Sequence, residues 1–128
     1  MKILIDTQSI IWFAENNTLL SKTARIAIED SDNTCFVSMA SFWEMSIKIN
    51  LGKLSVNGLT LTEFMDEVAE NDFQTLEIQR SHILENARLP LFHRDPFDRL
   101  IIAQAIVNNM HIISSDDAFD AYPITRIW

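Results

Sequence analysis

The sequence predicts an α/β domain whose parallel sheet is covered by helices on both faces. Short apolar runs of β type alternate with segments of helical periodicity along the whole chain. The 128 residues, 14.7 kDa, match one ordinary domain over 1–128, and a chain of this size buries about two-thirds of its unfolded surface. Apolar residues make up 48% and charged residues 22%, a balance that excludes disorder.

Taken in order, Lys2 to Ile5 is short and rich in Ile, a buried strand. Thr7 to Glu15 places apolar residues at 10, 11, 13 and 14, a helix. Ser21 caps a second helix reaching Asp30, because its hydroxyl can take an unpaired N–H of the first turn. Cys35 to Val37 is the next strand, and Ala40 to Asn50 a helix closed by Gly52. Thr62 to Asn71 carries Phe64, Met65, Val68 and Ala69 on one helical face. Phe73 to Ile78 reads as an edge strand, and Ser81 to Ala87 as a helix that stops before Pro90. Pro96 to Asn109 is the strongest helix, with Asp95 as cap and Pro96 at its first position. Ile112-Ile113 is a strand, Ala118-Phe119 lies in a short helix, and Ile124 to Trp128 is the last strand. Strand–helix–strand alternation implies right-handed crossovers. Ligands then bind beyond the carboxyl ends of the strands, where strand order reverses.

Composition narrows the function. Ten basic residues against 18 acidic ones give a net charge of −8 and a pI near 4.7, unlike a protein that grips nucleic acid by bulk charge. Either the partners are not nucleic acids, or metal ions and local basic patches offset the repulsion. The single Cys35 cannot form an internal disulfide, suits a reducing compartment and excludes a thiolate cluster. The two glycines, 52 and 58, cannot make a Gly-rich dinucleotide turn. The longest apolar stretch, Leu100 to Val107, is far below the ~20 residues a bilayer needs. Asp6 interrupts the N-terminal apolar run too early for a signal peptide, so the expected location is the cytoplasm. A phosphoacceptor receiver domain would carry an acid pair after the first strand, but Asp6 stands between Ile5 and Thr7.

Acids gather where such a fold builds sites. Asp6 follows the first strand, Glu44 lies in the helix after the second, Asp95 and Asp98 open the strongest helix, and Asp116 and Asp117 follow Ile112-Ile113-Ser114. Each has an ordinary local role. Asp6 and Asp95 can cap helices; Glu44 can close a capping box with Ser41 or pair with Lys48; Asp116 or Asp117 can cap the short helix. Together they are harder to dismiss, because convergent carboxylates repel one another unless a cation sits among them. Oxygen-only ligands suit Mg²⁺ or Mn²⁺, and such sites serve metal-assisted phosphodiester hydrolysis.

Four stretches resemble the PIN domain of the VapC ribonuclease toxins of bacterial toxin–antitoxin pairs. They are Ile3–Trp12, Val37–Lys48, His93–Ala105 with its Asp-Pro-Phe-Asp core, and Ile113–Tyr122, in order and spanning the chain. The resemblance implies a three-layer α/β/α fold with a five-stranded parallel sheet in the order 3-2-1-4-5. It implies an Mg²⁺-dependent endoribonuclease, with Mn²⁺ as an alternative ion, whose catalytic and metal-binding acids are Asp6, Glu44, Asp98 and Asp116. Ser114 stands where that family often has Thr, and adjacent Asp117 leaves the fourth acid open between two positions. Homodimers and a VapB-like antitoxin partner are implied as well. A cationic antitoxin side chain, an Arg, is expected to enter near Asp6 and Asp98. A non-catalytic PIN-like module that binds RNA or protein is the alternative.

Several residues have two roles open. Arg94 and Arg99 can contact phosphate or orient carboxylates, or be surface charge paired with acids. Thr7 can support the site or start its helix. His93 is taken as a loop residue rather than an acid or base. Lys48 and Lys53 can touch an RNA backbone or be plain solvated charges. Trp12, Phe13, Phe42, Trp43 and Phe64 are expected in core or interface rather than stacked on bases.

Overall fold

The computed structural model describes residues 1–128. Its elements are β1 (Lys2–Ile5), α1 (Thr7–Ala14), α2 (Lys22–Glu29), β2 (Thr34–Ser38), α3 (Met39–Asn50), α4 (Leu61–Glu70), β3 (Gln74–Leu76), α5 (Arg80–Arg88), α6 (Pro96–Asn108), β4 (His111–Ile113) and β5 (Arg126–Ile127). A 3₁₀ helix, Asp117–Ala121, precedes β5. All four strand pairings are parallel, and the sheet runs β3-β2-β1-β4-β5. The expected order is therefore the observed one. The order in which strands are added to the sheet reverses between β1 and β4, where Leu4 stands opposite Ile112 and Ile5 opposite Ile113.

The pleat of β1 divides the core in two. Ile3 and Ile5 point to one face and Leu4 to the other, since successive side chains of a strand alternate. The first face packs Ile10 and Ile11 of α1, Ala24 of α2, Phe42 and Met45 of α3, and Phe64 and Val68 of α4. The second packs Leu4 and Ile112 beneath Ile101, Ile102 and Ala105 of α6, closed by Phe119 and Tyr122. These are the layers of an α/β/α sandwich, and the accessible surface of 7228 Å² is close to the roughly 6,900 Å² expected for the mass. No helix is long and apolar enough to cross a membrane.

Local chemistry sets the boundaries. Ser21 caps α2 through Ala24 N, as its sequence position implies. Thr60 and Glu63 form a reciprocal capping box, so α4 starts one residue ahead of the expected Thr62. Asn109 turns left-handed at φ 53° while Met110 N donates to Ala105 O at 2.9 Å, which stops α6 at Asn108. Gly52, at φ +70°, ends α3 in the same way and lets Lys53 N donate back to Lys48 O at 2.8 Å. The outer strands are shorter than their apolar patterns imply. β3 keeps three residues and β5, at the opposite edge of the sheet, two.

Candidate metal centre

The ends of β1 and β4, the middle of α3 and the first turn of α6 meet at one concavity of about 340 Å³. Asp6, Glu44, Asp95, Asp98 and Asp116 line it. Asp6 is the last residue before α1, and its main-chain N–H donates to Ile113 O at 3.1 Å, carrying the β1–β4 ladder one step beyond the strands. Its Oδ1 accepts from Ser9 N at 2.9 Å, so it caps the helix and still faces the concavity.

Glu44 does not join a capping box with Ser41. Ser38 caps α3, accepting from Ala40 N, and Ser41 Oγ accepts from Thr7 Oγ1 instead. Glu44 Oε2 accepts from Lys48 Nζ at 2.7 Å, the i,i+4 pair that the spacing allows. Its other oxygen, Oε1, is buried with no hydrogen-bond partner.

Two aspartates divide the work at the start of α6. Asp95 Oδ1 accepts from both Phe97 N and Asp98 N at 2.9 Å, which completes the cap. Asp98, one turn in, is thereby released toward the concavity. Asp116 Oδ1 accepts from Ala118 N at 3.0 Å while its Oδ2 faces inward.

His93 completes the arrangement. Its Nδ1 accepts from Asp95 N at 3.1 Å, so the ring proton sits on Nε2. That nitrogen lies 3.0 Å from Asp116 Oδ2 and 3.3 Å from Asp98 Oδ2. One ligand atom from each of His93, Asp98 and Asp116 falls within 4.8 Å of the others. His93 does lie in the loop before α6, as expected, but its ring faces the acids. The available signal was a histidine two positions before a helix-capping acid, placed where its ring can accept from the cap's own N–H.

Charge crowding moves the carboxyls apart. Burial, then the neighbouring Asp95 and Asp6, lifts Asp98 to about 7. Burial also raises Asp6, against hydrogen bonds from Ser114 and Ser9. For Asp116, partial burial is outweighed by the Ala118 N–H and by His93, and its carboxyl is held below the ordinary range. Carboxylates that resist ionising together, beside a buried oxygen lacking any donor, form a cavity that a hard divalent cation would satisfy.

The remaining expected residues separate clearly. Thr7 lines the concavity but spends its hydroxyl proton on Ser41. Asp117 is exposed in the 3₁₀ helix and lies outside the concavity, so the structure brings Asp116 of the pair to the other acids. Arg94 is exposed and forms no ion pair with the acids. Arg99 corrects its expectation more strongly: it is neither a surface charge nor an orienter of carboxylates. Its buried guanidinium donates to the carbonyls of Pro90, Leu89 and His93, in the segment between α5 and α6, and to that of Asn86 near the end of α5. Among the aromatics, Phe42 and Phe64 are core. Trp12 packs on Trp128 and Phe13 edge-on against Phe73, while Trp43 stays 56% exposed beside Phe97.

Fold and pocket define an open parallel α/β domain with a carboxylate centre at the reversal of its sheet. The PIN domain family model matches residues 3–124, and the chain belongs to that family. Solved structures share the fold at low sequence identity. VapBC2 from Rickettsia felis, bound to a DNA fragment from its promoter, matches with a TM-score of 0.73 at 12% identity, covering 98% of this chain and 97% of that one. A toxin–antitoxin complex from Klebsiella pneumoniae gives 0.63 at 17%, covering 94% and 92%. VapC20 from Mycobacterium tuberculosis, a sarcin–ricin loop cleaving toxin, gives 0.69 at 10%, covering 96% of each. No curated protein matches at the level of sequence.

Proposed function

We propose that this protein is a divalent-metal-dependent endoribonuclease and the toxin of a toxin–antitoxin pair. The observation that carries the proposal is the buried, unpartnered Glu44 Oε1 in a concavity shared with Asp6 and Asp98. An orphaned buried carboxylate oxygen costs a few kcal/mol unless a cation or donor meets it. Membership of the PIN family and the fold shared with a sarcin–ricin loop cleaving toxin support the choice of RNA.

In this reading Asp6, Glu44, Asp98 and Asp116 hold Mg²⁺ or Mn²⁺. The ion, when bound, supplies Lewis-acid activation of the phosphate and an acidified water. The protein's own residues do the positioning. Asp6 is held rigid by its cap, Asp98 by the cap that Asp95 provides, and His93 spans Asp98 and Asp116. His93 also gives this side of the pocket a fixed N–H donor that orients Asp116 and faces Asp98 at 3.3 Å. The four acids neutralised by metal account for part of the net charge of −8. Toxin–antitoxin complexes among the similar folds support an antitoxin partner, and the acid pocket suits an inserted cationic side chain from it. A homodimer and a cytoplasmic location complete the proposal.

Purified protein incubated with total cellular RNA tests it. Discrete fragments are expected with Mg²⁺ or Mn²⁺, none with EDTA, and none from Asp98→Asn. Metal binding without cleavage, in protein freed of antitoxin, would establish the non-catalytic module instead.

A further inference from the structure

The acid concavity has one cationic wall. Of the ten basic residues, Lys48 and Lys53 line it. Others are engaged elsewhere: Arg25 pairs with Glu29, Arg88 with Glu85 and Arg126 with Asp120, and Arg99 is buried among carbonyls. The turn at Gly52 brings the two lysines together. Its positive φ folds the chain back so that Lys53 N bonds Lys48 O, and Leu54 then anchors the segment on the core. Lys48 is latched to Glu44, which raises its affinity for its proton. Lys53 is exposed and has no ion pair with any acid, although acids line the same concavity. An exposed ammonium at the rim of a carboxylate pocket, unpaired with any acid there, is left for an anion that arrives with the substrate.

We infer that Lys53, with Lys48 behind it, forms the subsite that holds the RNA phosphodiester backbone beside the acid centre. The inference rests on the ribonuclease reading and adds the residue that positions its substrate. It also answers the charge conflict: a chain at −8 cannot attract RNA over long range, so a single well-placed ammonium carries a large share of the remaining affinity.

The test is binding of a fluorescein-labelled single-stranded oligoribonucleotide in EDTA, followed by anisotropy across a salt series. Cleavage of the same RNA with Mg²⁺ runs in parallel. Lys53→Gln is expected to flatten the log Kd against log salt slope by about 0.7, which is about fivefold in Kd at 0.1 M salt relative to 1 M. Lys53→Arg keeps the slope, and Lys22→Gln on distant α2 leaves it at the wild-type value. In cleavage, Lys53→Gln raises KM with kcat nearly unchanged, the pattern of lost uniform binding. A wild-type slope in Lys53→Gln, from a protein that still cleaves, overturns the inference alone. The same slope with weakened antitoxin capture assigns Lys53 to a protein interface and overturns it too. A wild-type protein that cleaves nothing overturns the ribonuclease reading, and the inference with it.

Discussion

Thr7 donates its hydroxyl hydrogen bond to Ser41 across 3.0 Å, joining two buried side chains 34 positions apart. The bond pins the first residue of α1 to α3, so the helices that present Asp6 and Glu44 are fixed against each other. Thr7→Val keeps the volume and strands the Ser41 hydroxyl. It should cost about 1–2 kcal/mol in urea denaturation and weaken Mn²⁺ binding by calorimetry. Thr7→Ser should restore both.

The raised carboxyl of Asp98 makes the metal-free protein sensitive to pH. Burial, followed by Asp95 and Asp6, moves it from the ordinary 3.8 to about 7. The folded state therefore binds a proton that the unfolded chain releases. The resulting stabilisation is complete below about pH 4 and is lost as pH rises through about 7. Thermal unfolding in EDTA should show a Tm that falls from pH 5 to pH 8. Asp98→Asn should flatten that slope and raise stability at pH 8 by on the order of 2–4 kcal/mol. Added Mn²⁺ should raise the Tm of the wild type far more than that of the variant.

Arg99 is a structural residue with an indirect hold on the site. Its guanidinium fastens the segment that delivers His93. Arg99→Met leaves the Leu89 and His93 carbonyls without a donor and should cost about 2–4 kcal/mol. Arg99→Lys should rescue little, since one ammonium cannot reproduce the planar fork. Arg94→Gln, at an exposed site, should stay within about 0.5 kcal/mol of wild type.

A buried polar chain steadies α3 from the opposite side. Ser38 Oγ, the cap of α3, donates to Gln104 Oε1, and Gln104 Nε2 reaches Glu77 O. Gln104→Leu leaves the Ser38 hydroxyl without its acceptor and should cost about 1–3 kcal/mol by chemical denaturation. The double variant with Ser38→Ala should lose less than the sum of the two single variants.

What could be read from the chain follows from which forces are local. Strands and helices carry their periods and caps in adjacent residues, so Ser21, Asp95-Pro96 and Gly52 announce their elements directly. The acids were legible because Asp6 and Asp116 follow strands, and Glu44 and Asp98 lie in helices, that the topology aims at one end of the sheet. Arg99 and His93 were not legible in the same way. The partners that decide them are carbonyls and carboxylates contributed by separate segments: Asn86 and Leu89 for Arg99, Asp116 for His93. An arginine beside an acidic motif invites an electrostatic role, and only the wrapped backbone reveals that neutral carbonyls claim it. Asp116 and Asp117 could not be separated because a one-residue shift in a short 3₁₀ helix turns a side chain from pocket to solvent.

The brevity of β3 and β5 bears on how the protein behaves in a crowded cell. An outer strand of three residues, or of two, offers a foreign chain too few free amide and carbonyl groups to template another strand. Overproduced protein should therefore remain dispersed rather than seed fibrils, even though its sheet is built from Ile-rich strands of the kind that form cross-β stacks when their edges lie open.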